Sequence, residues 1–320
     1  MKTIVIHPRD VEIFKMVSRV GFLTEHQICA LHYPLHKGFM LDLEKARQPL
    51  SRRISYLVKD EYLVRSVIPG EGPRNRAAYL LGPAGATYMK SIRDMEDQMR
   101  PRWRQRKNNS LLIRSRHDVV TINFFVNIIL LSRLLPDFYL VDWLSDRECR
   151  FYIDGPGGKK EIVNPDLYLV TEDGSARTPR VFLEVDNGTL DNKQLHIKLI
   201  RFFRYYKSKK YIRDLESQQF PMIAILAPDE RRLETLRKSI LKAKQSSSDS
   251  VSGMPFWLST FDQVEANCID NGYVSTKPLE KVWIDEQGTL RSSPLAPNLM
   301  TSRPLINSAH DNTSKEGENN

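Results

Sequence analysis

Along the first eighty residues, apolar positions recur at helical spacing in three short runs and then switch to alternation. After a brief apolar lead at Ile4 to Ile6, Pro8 opens a helix whose Ile13, Phe14 and Val17 share one face, and Gly21 ends it. Thr24 with Gln27 three residues on is a capping box, starting a second helix that carries Ile28 and Leu31 inward until Pro34 stops it. Pro49 suits a first helical position and predicts a third helix with Leu50, Ile54, Leu57 and Val58 as its core stripe. Two strands follow, Tyr62 to Ile68 and Ala77 to Leu81, on either side of the turn Pro69-Gly70-Glu71-Gly72-Pro73. Three helices and then two strands make a winged helix-turn-helix.

Further on, Val119, Ile122, Phe125, Val126, Ile129, Leu130 and Leu134 mark a long amphipathic helix from His117, ended by Pro136. Phe138 to Trp143 and Glu148 to Ile153 read as strands paired in a hairpin, and Asp154-Gly-Pro-Gly-Gly as a loop. Two short aliphatic runs come next, Asp166 to Val170 and Val181 to Asp186, then a helix over Leu190 to Leu215 and an apolar strand over Phe220 to Leu226. Glu230 to Lys244 is a charged helix suited to covering a sheet edge, Ser246 to Ser252 a serine-rich break, and Phe256 to Thr260 and Lys281 to Ile284 are last strands. From about Ser292 the composition predicts a disordered tail.

The two aliphatic runs carry acids, which is costly in a buried sheet unless the acids have a task. Side chains two apart on a strand share a face, so Glu184 and Asp186 point one way with Phe182, while Leu183 and Val185 turn to the other. With the Asp166 strand alongside, three carboxylates converge. Such crowding raises their pKa values unless a cation sits among them, and hard oxygen ligands with room for water suit Mg²⁺ or Mn²⁺. After the turn at Asn187-Gly188, Gln194, Lys198, Arg201 and Tyr205 recur at helical spacing on one stripe and bring a cation beside the acids. The plain alternative is that Glu184 and Asp186 end an edge strand and pair with helix cations.

A Pro-Asp at one strand, an acid-x-acid eighteen residues on at the next and a lysine on the following helix resemble the PD-(D/E)xK nuclease core. Over most of its length the chain is similar to the replication-relaxation family and to plasmid mobilisation relaxases of the MOB-C type, which join a winged helix to such a core. The segments FLEVDNGT, followed by KL and aromatics, and LGPAGATYM after the wing carry this likeness. It implies an α/β fold, α+β overall: a winged helix, then an α-β-β-β-α-β core with a mixed sheet and helices on both faces. It also implies a catalytic set of Asp166, Glu184, Asp186 and Lys198, with the three acids holding Mg²⁺ or Mn²⁺. Asp186 stands where the nuclease signature usually has lysine. Either the lysine has moved to the helix, as Lys198 or Lys193, or Asp186 is a third metal ligand; failing both, the site is inactive. A lysine there would orient the attacking water and screen charge on the phosphoryl oxygens. Relatives often carry a further acid on the first core helix, and Asp118 is the only acid near it.

Charge sharpens the picture of the N-terminal half. The net charge is +9, yet residues 1–116 hold 22 Lys and Arg against 11 Asp and Glu, and the remainder 26 against 28. The basic half is therefore the expected polyanion binder, and the resemblance implies double-stranded DNA at an origin-like site. The third helix would enter the major groove with Arg47, Gln48, Ser51, Arg52 and Arg53, and the wing with Arg74 and Arg76 would reach the flanking backbone. The alternative is that these arginines form a solvated face. Residues 100–116 include six arginines, one lysine and no acid, a composition that suits an arm along phosphate or a plain linker. The expected division is 1–99 winged helix, 100–116 arm, 117–286 nuclease-like domain and 287–320 tail.

Three scattered cysteines without a CxxC indicate neither disulfide frame nor zinc site. His32 and His36 have helical metal spacing, but Pro34 breaks the helix they would need; no His-x-His cluster of rolling-circle type occurs. No uninterrupted run of eighteen apolar residues and no signal peptide are seen, so a cytoplasmic protein with no membrane partner is expected. Two functions follow as expectations. One is a metal-dependent nicking enzyme of plasmid mobilisation or replication, with other mobilisation or replication proteins as partners and with water or a tyrosine such as Tyr205 or Tyr206 as nucleophile. The other is a non-catalytic accessory protein or regulator whose nuclease-like domain is degenerate.

Overall fold

The computed structural model describes residues 4–32, 39–41, 43–68, 76–92, 115–174, 178–188, 191–247, 251 and 253–299. His36, the wing turn with Arg74, the basic arm as far as residue 114 and the chain beyond 299 lie outside the described residues.

The N-terminal elements are α1 (Pro8–Val20), β1 (Leu23–Thr24), α2 (Glu25–His32), α3 (Leu43–Lys59), β2 (Leu63–Ile68), β3 (Arg76–Leu81) and α4 (Pro83–Ile92). Their antiparallel sheet has the order β1-β3-β2, so three helices and a two-stranded wing are arranged as the sequence predicts. The capping box forms: Thr24 N–H donates to Gln27 Oε1 (2.9 Å) and Gln27 N–H to Thr24 Oγ1 (3.3 Å). Ile13, Phe14 and Val17 meet Leu50, Ile54 and Leu57 in the core, and Phe14 stacks on Tyr62 at 5.7 Å between ring centroids. Pro49 does not open α3 but lies inside it, since the helix begins at Leu43. Its missing N–H removes one backbone bond, and burial of the Leu50-Ile54-Leu57 stripe offsets that loss.

The rest of the chain contributes α5 (Ser115–Leu134), β4 (Tyr139–Ser145), β5 (Phe151–Asp154), β6 (Lys160–Val163), β7 (Leu167–Glu172), β8 (Arg180–Val185) and α6 (Asn192–Ser208). Next come α7 (Tyr211–Asp214), β9 (Met222–Ala227), α8 (Glu230–Gln245), β10 (Phe256–Thr260), β11 (Trp283–Ile284) and β12 (Leu290–Arg291). Seven strands form one mixed sheet, β12-β11-β10-β9-β8-β7-β4, in which β8, β9 and β10 run parallel and the other neighbours antiparallel. The order α5, β4, β7, β8, α6, β9 is the expected helix, three strands, helix, strand. Two expectations change. The 151–154 strand pairs with 160–163 instead of with β4, and Asp154-Gly-Pro-Gly-Gly turns that hairpin with Gly157 and Gly158 at φ 65° and 75°. The expected tail is packed through Leu299: Leu295 and Ala296 are buried, Thr171 Oγ1 donates to the Leu295 carbonyl (2.6 Å), and Asn298 N–H donates to Asp173 Oδ2 (2.8 Å).

One sheet face, with Leu167, Leu169, Val181, Leu183 and Val185, shares a continuous core with α5 and the N-terminal helices. The other, with Tyr168, Val170, Phe182, Ile223 and Ile225, is covered by α6, α8 and the β5-β6 hairpin. Helix α5 is long and apolar enough to cross a membrane, but 72% of that stretch is buried within the protein, as in a core helix. Asn123 at its centre accepts from Gln27 Nε2 of α2 (2.7 Å) and donates to Asp270 (2.8 Å), while Asn127 exchanges two bonds with the Ser275 backbone. Each such buried group costs about 1–3 kcal/mol if left unpaired, so this network specifies one seating of α2 on α5. A second junction lies at the end of α1: Arg19 sits 3.4 Å above the Trp143 ring and bonds the Trp143 carbonyl (2.5 Å) and Glu148 (3.1 Å). Gly21 sits at φ 101°, a conformation that side chains rarely adopt, and a Cβ there would push the Arg147 guanidinium aside. Cys29, Cys149 and Cys268 are buried, and none is in a disulfide.

Candidate active site

The β7-β8 register ends with Leu167 opposite Leu183; carried one residue past that end, it sets Asp166 opposite Glu184. Directly opposed residues on antiparallel strands point to the same face, which brings these two carboxyls together at the rim of the sheet. Alternation also holds along β8: Phe182 faces α6, while Val181, Leu183 and Val185 face α5. From α6, Lys198 Nζ reaches Glu184 Oε2 in an ion pair. Its helix is started by Asp191, whose Oδ1 accepts from Gln194 N–H (2.7 Å). From α5, His117 Nε2 lies 3.1 Å from Asp166 Oδ2, and its Nδ1 lies 3.0 Å from Asp118 Oδ1. Asp166 Oδ2 also accepts the Val185 N–H (2.8 Å).

Two acids and one ammonium in a buried place share one negative charge more easily than two. Burial, with the Asp166 charge adding to it and Lys198 opposing, pushes Glu184 up to about 8. Burial acts on Asp166 in the same direction, but Lys198, His117 and the Val185 N–H together hold it at about 2. Lys198 stays cationic: burial would lower its pKa, and the charges of Glu184 and Asp166 more than offset that. Burial opposes the charged form of His117 as well, yet the hydrogen bonds to Asp118 and Asp166 carry it to about 10. Glu184 Oε1 is buried without a hydrogen-bond partner. What this oxygen lacks is a proton or a cation, and a small divalent ion needs only one or two carboxylates when waters and phosphate complete its shell. Asp166 and Glu184 fit that requirement.

Asp186 is the expected ligand that the structure places elsewhere in the pocket. Its carboxylate takes a two-pronged contact from Arg232 of α8 (3.2 and 2.9 Å) and the Gly188 N–H (2.6 Å). Among the described residues, no three His, Cys, Asp or Glu side chains converge as a metal-holding group. Lys193 is exposed at the start of α6, and Lys198 is the lysine that reaches the acids. Tyr205 is wholly buried among Phe151, Phe182, Tyr211 and Phe220, its hydroxyl turned to Asp214 (3.3 Å), and burial drives its pKa far above the ordinary value. It packs the core, and Tyr206 stacks on Tyr211.

On the winged helix, Gln48 and Arg52 are exposed. Arg53, expected on the same face, turns to the buried Asp10 and to the Val5 carbonyl (2.6 Å), because a buried carboxylate demands a partner. Ser51 donates to Glu25. Arg47 and Arg76 are described by their backbone alone, and Arg74 lies outside the described residues. Sequence reasoning missed His117 and Arg232. The signal for His117 was its place next to Asp118 on the same helix; Arg232 lies 46 residues from the acid it serves.

A sequence model of replication-relaxation proteins matches residues 14–217, nearly two thirds of the chain and all of the elements just described from α1 to α7 save the first six residues of α1. The chain belongs to the replication-relaxation family, and membership suggests a role in plasmid replication or mobilisation. Neither a curated protein nor a solved structure matches it.

Proposed function

We propose that the protein is a DNA-binding, metal-dependent nicking enzyme of plasmid mobilisation or replication, acting on double-stranded DNA at an origin-like site. The observation that carries this reading is the opposition of Asp166 and Glu184 with Lys198 against them and one glutamate oxygen unpartnered. Asp166 and Glu184 would hold Mg²⁺ or Mn²⁺, which supplies Lewis-acid polarisation of the phosphodiester and acidifies water. Lys198 would release Glu184 Oε2 to the ion and turn its charge toward the phosphoryl oxygens as they gain charge. With Tyr205 committed to the core, water is the nucleophile in this reading. Arg52 and Gln48, exposed on α3, would face the DNA groove.

The second reading, a non-catalytic winged-helix accessory protein or regulator, is favoured by one feature: Asp186 is engaged by Arg232, and among the described residues no third acid joins the pair. One experiment separates the two. Supercoiled plasmid carrying the DNA that neighbours the gene is incubated with protein and Mn²⁺, Mg²⁺ or EDTA. The nicking reading expects open circles with metal, none with EDTA, and none with Asp166→Ala or Glu184→Ala although both variants still shift the DNA in a gel. Unchanged plasmid under every ion would leave the accessory reading.

A further inference from the structure

We infer that His117 is a positioning residue for the acid pair, a role that rests on the nicking reading above. Both of its ring nitrogens face carboxylates, Nε2 toward Asp166 and Nδ1 toward Asp118. The ring therefore has no nitrogen left for an ion and is not itself a ligand. What it does is fix Asp166. The Val185 N–H alone would leave that carboxylate free to turn about its Cβ–Cγ bond. A second donor on the same oxygen, arriving from helix α5, sets the rotation: with Oδ2 held by His117 and Val185, Oδ1 is the oxygen that Asp166 would offer to an ion shared with Glu184.

The support behind the imidazole is firm on both sides. Asp118 orients its far nitrogen, and the next turns of α5 are anchored by the buried Val119, Val120 and Phe124. His117 thus transmits the placement of a core helix to a carboxylate at the sheet rim. Groups that orient metal-binding carboxylates in this way typically change metal affinity by about 10–100-fold when removed.

The test uses the full-length protein and the variants His117→Ala, His117→Asn and His117→Gln. A glutamine amide nitrogen reaches about where the imidazole Nε2 sits, whereas an asparagine nitrogen reaches only the Nδ1 position. Two quantities are read: the amide proton shift of Val185 in metal-free ¹H-¹⁵N spectra, and the Mn²⁺ dissociation constant by calorimetry. In the alanine and asparagine variants the Val185 signal is expected to move upfield and Mn²⁺ binding to weaken about tenfold or more, while glutamine retains the signal and restores binding to within about threefold. An unmoved Val185 signal with unchanged Mn²⁺ affinity in His117→Ala overturns the inference, as does a glutamine variant that behaves like alanine. Should the wild-type protein take up no Mn²⁺ through Asp166 while the Val185 signal still follows the series, the nicking reading falls and the positioning of Asp166 stands.

Discussion

Replacing Glu184 by glutamine separates the charge of this residue from its shape. In the metal-free protein burial and Asp166 lift the Glu184 carboxyl to about 8, so at pH 7 the folded chain holds its proton while the unfolded chain has lost it. The folded state then binds more protons than the unfolded state from about pH 4.5 to 8, and stability falls as pH rises through that window. At about 1.4 kcal/mol per pH unit, the burden at pH 7 is roughly 3 kcal/mol. Glutamine carries a carbonyl for Lys198 and no ionisable proton, so Glu184→Gln should flatten this slope and leave the metal-free protein at least as stable as wild type at pH 7.5. The same change removes an anionic ligand. Saturating Mn²⁺ at a hundredfold excess over its dissociation constant should stabilise wild type by about 2.7 kcal/mol and the variant by almost nothing. Denaturant melts from pH 5 to 8.5, with and without Mn²⁺, read both effects. A variant that is destabilised by several kcal/mol without metal, yet still stabilised by Mn²⁺, would refute the charge-sharing account of the pair.

Lys198→Met should cut nicking by about a hundredfold or more while leaving Mn²⁺ binding intact or tighter, because a competing cation is gone; gel assays and calorimetry check the split. Arg53→Ala exposes the buried Asp10 charge and should cost about 2–3 kcal/mol in denaturant melts, somewhat below the range for fully buried pairs because Arg53 is partly exposed, whereas Arg52→Ala should leave the melt unchanged and weaken DNA binding with a shallower salt dependence. Burial, with Arg133 nearby, lowers His32 from 6.5 to about 4, so the unfolded chain takes up a proton first as pH falls. Stability contributed by neutral His32 is present above pH 6.5 and lost toward pH 4, and His32→Gln should reduce that acid-side loss in pH-dependent melts.

Much of this was legible in the chain because two periodicities carry it. Period two along Phe182 to Asp186 assigned Glu184 to the α6 face, and helical spacing put Lys198 opposite, both as observed. What that spacing could not give is which acids are already spoken for. Asp186 shares the face of Glu184, but its fate is decided by Arg232, on a helix whose pattern said only that it was charged. Arg53 misled for the same reason, since its partner Asp10 looks like an ordinary first-turn acid until α1 and α3 pack. The hairpin partner of 151–154 was missed because Lys160-Glu-Ile-Val is too short and polar to register as a strand. The stretch after Ser292 lacks apolar periodicity, and tertiary contacts through Leu295 and Asn298 hold it in place all the same.

The junction at Arg19, Gly21 and Arg147 has one more consequence. It ties the winged-helix module to the turn after β4 by side-chain packing, and the Gln27-Asn123 bond ties it again further along. On the nicking reading proposed above, a winged helix attached in this way would work as a ruler: the offset between the bases gripped and the bond cut would be set by packed surfaces and not by the span of residues 93–114. Lengthening that span by a few glycines should leave the cut at the same nucleotide, whereas Gly21→Val should blur or displace it.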